Sequence, residues 1–180
     1  DDFRTACETW TRYVAAGGSE VVIVTPTTTH AALIEASLRA GKAVWTEKPI
    51  AQEIGDTARI VDLWRSTGLP VQVGFMRRFD PAYVEMKARG MQPGIGARIM
   101  MHNFHRNVSA PSNFTGQMAI TNSAPHEFDI ARFVLGTEYS CVSAFQPTGS
   151  TPGRGIGPVF MVLRTAAGQL VNIEVNNNAG

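Results

Sequence analysis

VVIVTP, residues 21–26, is the stretch that decides how this chain folds. Four β-branched apolar residues stand together with nothing polar between them. A strand with one face in water alternates apolar and polar side chains. An unbroken run belongs to a strand covered on both faces, as in a parallel sheet. The surroundings agree. Residues 3–16 carry Ala6, Trp10, Tyr13 and Val14 at helical spacing, and Gly17 and Gly18 stop them. THAALIEASLRA, residues 29–40, predicts a helix opened by threonines and closed by Gly41. KAVWTEKP (42–49) predicts a second strand, residues 52–66 a third helix, and LPVQVGF (69–75) a third strand. Strand, helix, strand in alternation implies right-handed crossovers and a parallel sheet covered by helices.

Beyond residue 76 the pattern changes. One more helix runs from about Asp80 to Arg89, opened by Pro81. ARIMMHNFHRN (97–107) is a strand of mixed polarity, and residues 125–135 form a helix. CVSAFQP (141–147), PVFMVLRT (158–165) and QLVNIEVNN (169–177) then follow as strands joined by Gly- and Pro-rich turns. Strands in succession predict an open, mostly antiparallel sheet. The expected class is α/β. Residues 1–75 form part of a doubly wound Rossmann domain, and residues 76–180 form an α+β domain.

Composition narrows the function. The 180 residues carry a formal net charge of +1 with both signs interspersed. No basic face advertises nucleic acid, and no basic amphipathic run advertises a membrane. No apolar stretch approaches a bilayer span, and DDFRTACETW at residues 1–10 is the opposite of a signal peptide. Cys7 and Cys141 lie far apart and match no metal spacing, as expected of reduced thiols in the cytoplasm. A doubly wound sheet binds its nucleotide through a Gly-rich turn after the first strand. GRGIGP (153–158) fails that pattern, because Pro158 replaces the third glycine and a strand follows it. The Gly-rich first strands are therefore expected upstream of Asp1. The last strand is still running where the sequence stops, so further strands are expected there too. Alone, these residues are expected to be inactive.

VVIVTPTTTH (21–30), AVWTEKPIA (43–51), GFMRRFDPAY (74–83) and TNSAPHEFDIARFVLG (121–136), in that order, resemble the Gfo/Idh/MocA oxidoreductases, and within them the inositol 2-dehydrogenase branch. The resemblance implies a Rossmann domain that binds NAD or NADP, with NAD favoured, and hydride transfer from a ring carbon of a cyclic polyol, myo-inositol foremost. A sugar dehydrogenase of the same family, or a sugar-sensing relative without turnover, are the alternatives. A homo-oligomer, dimer or tetramer, is expected on the same ground.

Taken alone, Lys48 beside Glu47 is a surface ion pair. At the carboxyl end of a parallel strand, however, a lysine can hydrogen-bond a substrate hydroxyl and favour the alkoxide that forms as hydride leaves. Pro49 fixes φ in that turn. The resemblance brings Pro26, Glu47, Lys48 and Met76 to the cofactor, while His30 caps its own helix. His126, just after Pro125, matches the family's acid–base residue. The family's aspartate four residues earlier is Asn122 here. It can orient a hydroxyl or an imidazole but supplies no charge. Lys48, His126 and Asn122 are thus the expected catalytic group. On a strand, His102 and His105 fall on opposite faces, so they make a poor metal pair, and no metal is expected. His105 aligns with Asn107, and with Ser123 the resemblance gives them to the substrate hydroxyls. Asp129 is assigned to the helix dipole. Arg77 and Arg78 suit either phosphate or interdomain ion pairs, and the second is preferred because phosphate contacts belong to the Gly-rich turn.

Overall fold

The computed structural model describes residues 16–17, 19–108, 114–146 and 158–177. The helix expected over residues 3–16 and the GRGIGP loop lie, save for their last residues, outside these. The chain separates into two compact units, Asp1–Phe75 and Met76–Gly180.

In the first unit, β1 (Glu20–Ile23), β2 (Ala43–Thr46) and β3 (Val71–Val73) form a parallel sheet in that order. The crossovers contain α1 (His30–Arg39) and α2 (Ile54–Thr67). Two right-handed crossovers stepping in the same direction put their helices on one face of the sheet. Ile23, Ile34, Leu38, Val44 and Ile60 close the core there, each at most 2% exposed. Burying a side chain of that size contributes about 1.5–3 kcal/mol. The other face differs from expectation. Val22 is 59% exposed, because the described residues supply no helix to cover it. The threonines also depart from their expected role. Thr27–Thr29 make a 3-10 turn, and the Thr29 hydroxyl donates back to Pro26 O (2.8 Å) instead of capping α1. At the end of β3, the N–H of Gly74 donates to Thr46 O (2.8 Å). A Cβ at Gly74 would lie 2.9 Å from Cζ2 of Trp45, so glycine is what lets this backbone close against the indole.

The second unit opens with a 3-10 turn, Met76–Phe79, and α3 (Pro81–Gly90). Asp80 caps α3 by accepting from Ala82 N (2.8 Å), with Pro81 in the first turn. Its sheet contains β4 (Met100–Arg106), β5 (Tyr139–Phe145), β6 (Val159–Thr165) and β7 (Leu170–Asn176), in the order β4-β7-β6-β5. The β4–β7 pairing is parallel and the other two are antiparallel. The inward residues of β6 and β7, Val159, Met161, Leu163, Val171, Ile173 and Val175, are all buried. Against them lie Ala119, Ala124, Ala131 and Leu135. The three alanines are fully buried, and such small side chains let a helical segment approach the sheet closely. That segment is α4 (Pro125–Leu135), preceded by an α-turn at Gly116–Met118 and a π-turn at Ala119–Ser123. On the opposite face Met100, Phe104 and Phe160 are exposed, so the sheet is open on that side.

Candidate functional site

In the first unit the three parallel strands end together, so the segments after Ile23, Thr46 and Val73 meet at one edge of the sheet. His30, 1% exposed, holds two of them. Its Nδ1 lies 2.8 Å from Pro49 O, and its Nε2 lies 2.9 Å from Thr25 O. The imidazole thereby ties the turn at Pro26 to the turn at Lys48. It is a structural clamp at the start of α1. Glu47 continues the ladder, its N–H donating to Ile23 O (2.9 Å). Its carboxylate also accepts from Lys48 N (3.3 Å). Glu47, Lys48 and Pro49 are half-buried, and the Lys48–Pro49 peptide is cis. The edge thus carries one ammonium group on a turn pinned from two sides.

The second unit gathers a larger polar group. Along β4 the residues alternate: Met100, His102, Phe104 and Arg106 face solvent, while Asn103 is buried and His105 half-buried on the other face. His102 turns outward to Asn172, with Nδ1 3.1 Å from the amide Nδ2. His105 turns inward to Glu127 (Nδ1 to Oε1, 2.9 Å). Arg77 pairs with the other oxygen of the Glu127 carboxylate. Glu127 is 2% exposed and lies in the first turn of α4, where the helix dipole favours a carboxylate. From His105 the bonds continue outward. Asn107 Nδ2 lies 3.1 Å from His105 Nε2 and donates to Asn177 Oδ1 (2.8 Å). Asn177 Nδ2 donates in turn to Ser123 Oγ (3.4 Å). His105, Asn107 and Ser123, expected to act together, are joined directly and through Asn177, while Glu127 anchors His105, and the sequence had marked neither Glu127 nor Asn177.

Asn122 and His126 sit four residues apart across the junction of the π-turn and α4. Ala124 N donates to Ala119 O (2.9 Å) across that junction, one residue more than an α-turn spans. The Asn122 Oδ1 accepts from the Thr121 hydroxyl (3.1 Å). His126 is the second residue of α4 and half-buried. Met76 begins the 3-10 turn and is 64% exposed.

Arg77 and Arg78 correct the interdomain expectation, since both find their partners inside the second unit. Arg78 grips Asp129 with both ends of its guanidinium, Nε to Oδ2 at 2.7 Å and Nη2 to Oδ1 at 2.5 Å. Asp129, 4% exposed, therefore anchors the Met76–Phe79 turn rather than merely answering the helix dipole. Two buried carboxylates two residues apart on α4 need two counter-charges, and the adjacent arginines supply them. Among the described residues, no cluster of three or more His, Cys, Asp or Glu side chains could hold a metal ion, and no helix is long and apolar enough to cross a membrane.

Parallel strands with helical crossovers, followed by an open-sheet α+β unit, define a Rossmann-type unit joined to a second domain. Residues 14–75 match the Gfo/Idh/MocA oxidoreductase family, NAD-binding Rossmann fold. The chain is 43% identical over 168 residues to inositol 2-dehydrogenase 1 of Saccharopolyspora erythraea, covering 91% of this chain and 50% of that protein. It is 41% identical over 163 residues to inositol 2-dehydrogenase 4 of the same organism, covering 89% and 48%. The myo-inositol dehydrogenase of Lactobacillus casei, solved with NAD(H) and myo-inositol, superposes with a TM-score of 0.82 at 31% identity, covering 89% of this chain and 49% of that one. The chain belongs to the Gfo/Idh/MocA oxidoreductase family. It spans about half the length of the curated relatives it matches.

Proposed function

We propose that the protein is an NAD-dependent dehydrogenase that oxidises a ring hydroxyl of a cyclic polyol, with myo-inositol as the foremost substrate. The observation that carries this reading is the linked polar group His105–Asn107–Asn177–Ser123, anchored on the Glu127 carboxylate. A polyol has little apolar surface and is held by many short hydrogen bonds, which is what such a group offers. The named activity of the inositol 2-dehydrogenases it resembles supports the same substrate class.

In this reading His126 takes the hydroxyl proton and Lys48 stabilises the developing alkoxide by charge and hydrogen bond. Asn122 orients the imidazole or the hydroxyl. His105, Asn107 and Ser123 hold the other ring hydroxyls. Pro26, Glu47, Lys48 and Met76 hold the cofactor. The fit to a nicotinamide rests on the first unit's edge, where the turns at Pro26 and Lys48 are fixed by one buried histidine at the carboxyl ends of parallel strands. The nicotinamide supplies the hydride acceptor, and the alcohol becomes a ketone with one proton released. The open sheet of the second unit, carrying Phe104 and Phe160, suits self-association into a homo-oligomer, and the cytoplasm suits a nicotinamide-dependent enzyme.

The test is a panel of inositols and aldoses offered to the full-length protein with NAD and with NADP. Turnover of an inositol with NAD is expected. Activity on glucose with none on inositols would overturn the substrate, and bound cofactor without turnover of any polyol would favour a sensing role.

A further inference from the structure

The buried Glu127 carboxylate touches two groups at once, and its chemistry sets the proton positions of every residue beyond it. Arg77 can only donate, so one carboxylate oxygen serves it. The other oxygen can only accept, so the His105 Nδ1 that faces it at 2.9 Å carries a hydrogen. Nε2 of the same ring faces the amide nitrogen of Asn107 at 3.1 Å, which donates, so Nε2 presents its lone pair. The second amide hydrogen of Asn107 goes to Asn177 Oδ1 (2.8 Å), a residue only 2% exposed. Both hydrogens of the Asn107 amide are then used inside the protein. What it turns outward is its oxygen, which has no hydrogen-bond partner among the described residues, on an exposed side chain.

We propose that Glu127 and Asn177 are positioning residues that lock His105 in the neutral Nδ1–H tautomer and turn the amide of Asn107 so that it offers a ligand only an acceptor. This rests on the polyol reading for the identity of the ligand and deepens it. The subsite selects a group that can donate, a ring hydroxyl, and discriminates against the same position bearing fluorine or a methyl ether. A site built to receive a hydroxyl hydrogen rejects an analogue that lacks it far more strongly than an apolar pocket rejects a changed shape.

Glu127→Gln tests the relay because its outcome is dictated by Arg77. The guanidinium claims the new amide's oxygen, which leaves the amide nitrogen facing His105 Nδ1. That nitrogen donates, so the ring must move its hydrogen to Nε2. Asn107 then reverses to accept from Nε2–H, Asn177 reverses with it, and the subsite turns a donor outward.

The experiment uses the full-length protein with isotopically labelled histidine nitrogens, read by nuclear magnetic resonance, with His105→Gln identifying the His105 signals. The wild type is expected to show the Nδ1–H tautomer and Glu127→Gln the Nε2–H tautomer. In turnover, Glu127→Gln is expected to raise the polyol KM about tenfold or more, with the NAD KM unmoved. It should also narrow the discrimination against fluorinated inositols. An Nε2–H or doubly protonated His105 in the wild type overturns the proposal, as does an unchanged tautomer in Glu127→Gln. If that variant does not fold, the wild-type spectrum still decides. If the wild type turns over no polyol, the substrate reading fails, while the tautomers still report whether the relay exists.

Discussion

Replacing Arg78 with methionine removes the counter-charge of a carboxylate that is 4% exposed. The pair is two-pronged, at 2.7 and 2.5 Å, and it fastens the Met76–Phe79 turn to α4. Arg78 also lies over the ring of Phe133, 5.7 Å from its centroid, a contact the methionine side chain can partly keep. The main loss is therefore electrostatic. Breaking a buried pair from one side costs about 3–5 kcal/mol, because the abandoned charge stays buried. Taking out both partners, as Arg78→Met with Asp129→Leu, removes that burden, and the double variant should recover most of the loss. Hydrogen exchange at the α4 amides of the full-length protein reads the loss directly. Amides that exchange only when the second unit opens should speed up roughly a hundred- to several-thousandfold in the single variant. A change below about tenfold, or a double variant as labile as the single, would refute the account of this pair.

Three further outcomes follow from the same structure. Asn122→Asp places a carboxylate four residues before His126 and should raise the kinetic pKa assigned to that histidine. An unchanged pH–rate profile for polyol oxidation would remove the proposed link between them. Tyr139 donates its hydroxyl to Phe128 O (2.9 Å), and burial pushes its ionisation above the usual phenol range. The folded protein holds that proton longer than the unfolded chain does. Stability is thus intact below about pH 10 and falls as pH rises beyond it. Tyr139→Phe should flatten that alkaline fall in urea titrations at a series of pH values, and a slope equal to the wild type would count against it. Glu127→Gln should switch the His105 tautomer, as set out above.

Much of the fold was legible because it rests on local chemistry. An unbroken apolar run marked β1, strands following one another without helices marked the second sheet, and Asp80-Pro81 marked the start of α3. What sequence could not show was set by tertiary partners. Val22 reads as buried because its neighbours are apolar, yet burial depends on a covering helix, and both described crossovers lie on the other face. The π-turn at Ala119–Ser123 carries one residue too many for the helical template, so no periodic pattern reveals it. Arg77 and Arg78 announce a need for carboxylates without saying which, and their partners lie 50 and 51 residues away.

The candidate site divides in the same way. Lys48, His105, Asn107, Ser123 and His126 were visible as residue types in a recognisable order. Glu127 sat in plain view within HEFD, beside a histidine that drew the attention. A polar residue in the first turn of a helix has an adequate local explanation, so nothing local pointed to its two partners. Asn177 was read as the tail of a strand, and only the parallel pairing of β4 with β7 brings it beside Asn107. Pairing of residues 70 apart is a property of topology and leaves no trace in the composition of either segment.

The central claim is that hydride passes from a ring carbon of an inositol to the nicotinamide. The most direct measurement offers the full-length protein myo-inositol deuterated at its ring carbons, together with NAD, and asks by mass spectrometry where the deuterium goes. The account predicts one deuterium in each reduced nicotinamide and a ketone in the product. Reduced cofactor without deuterium, or no reduction with any inositol, would contradict it.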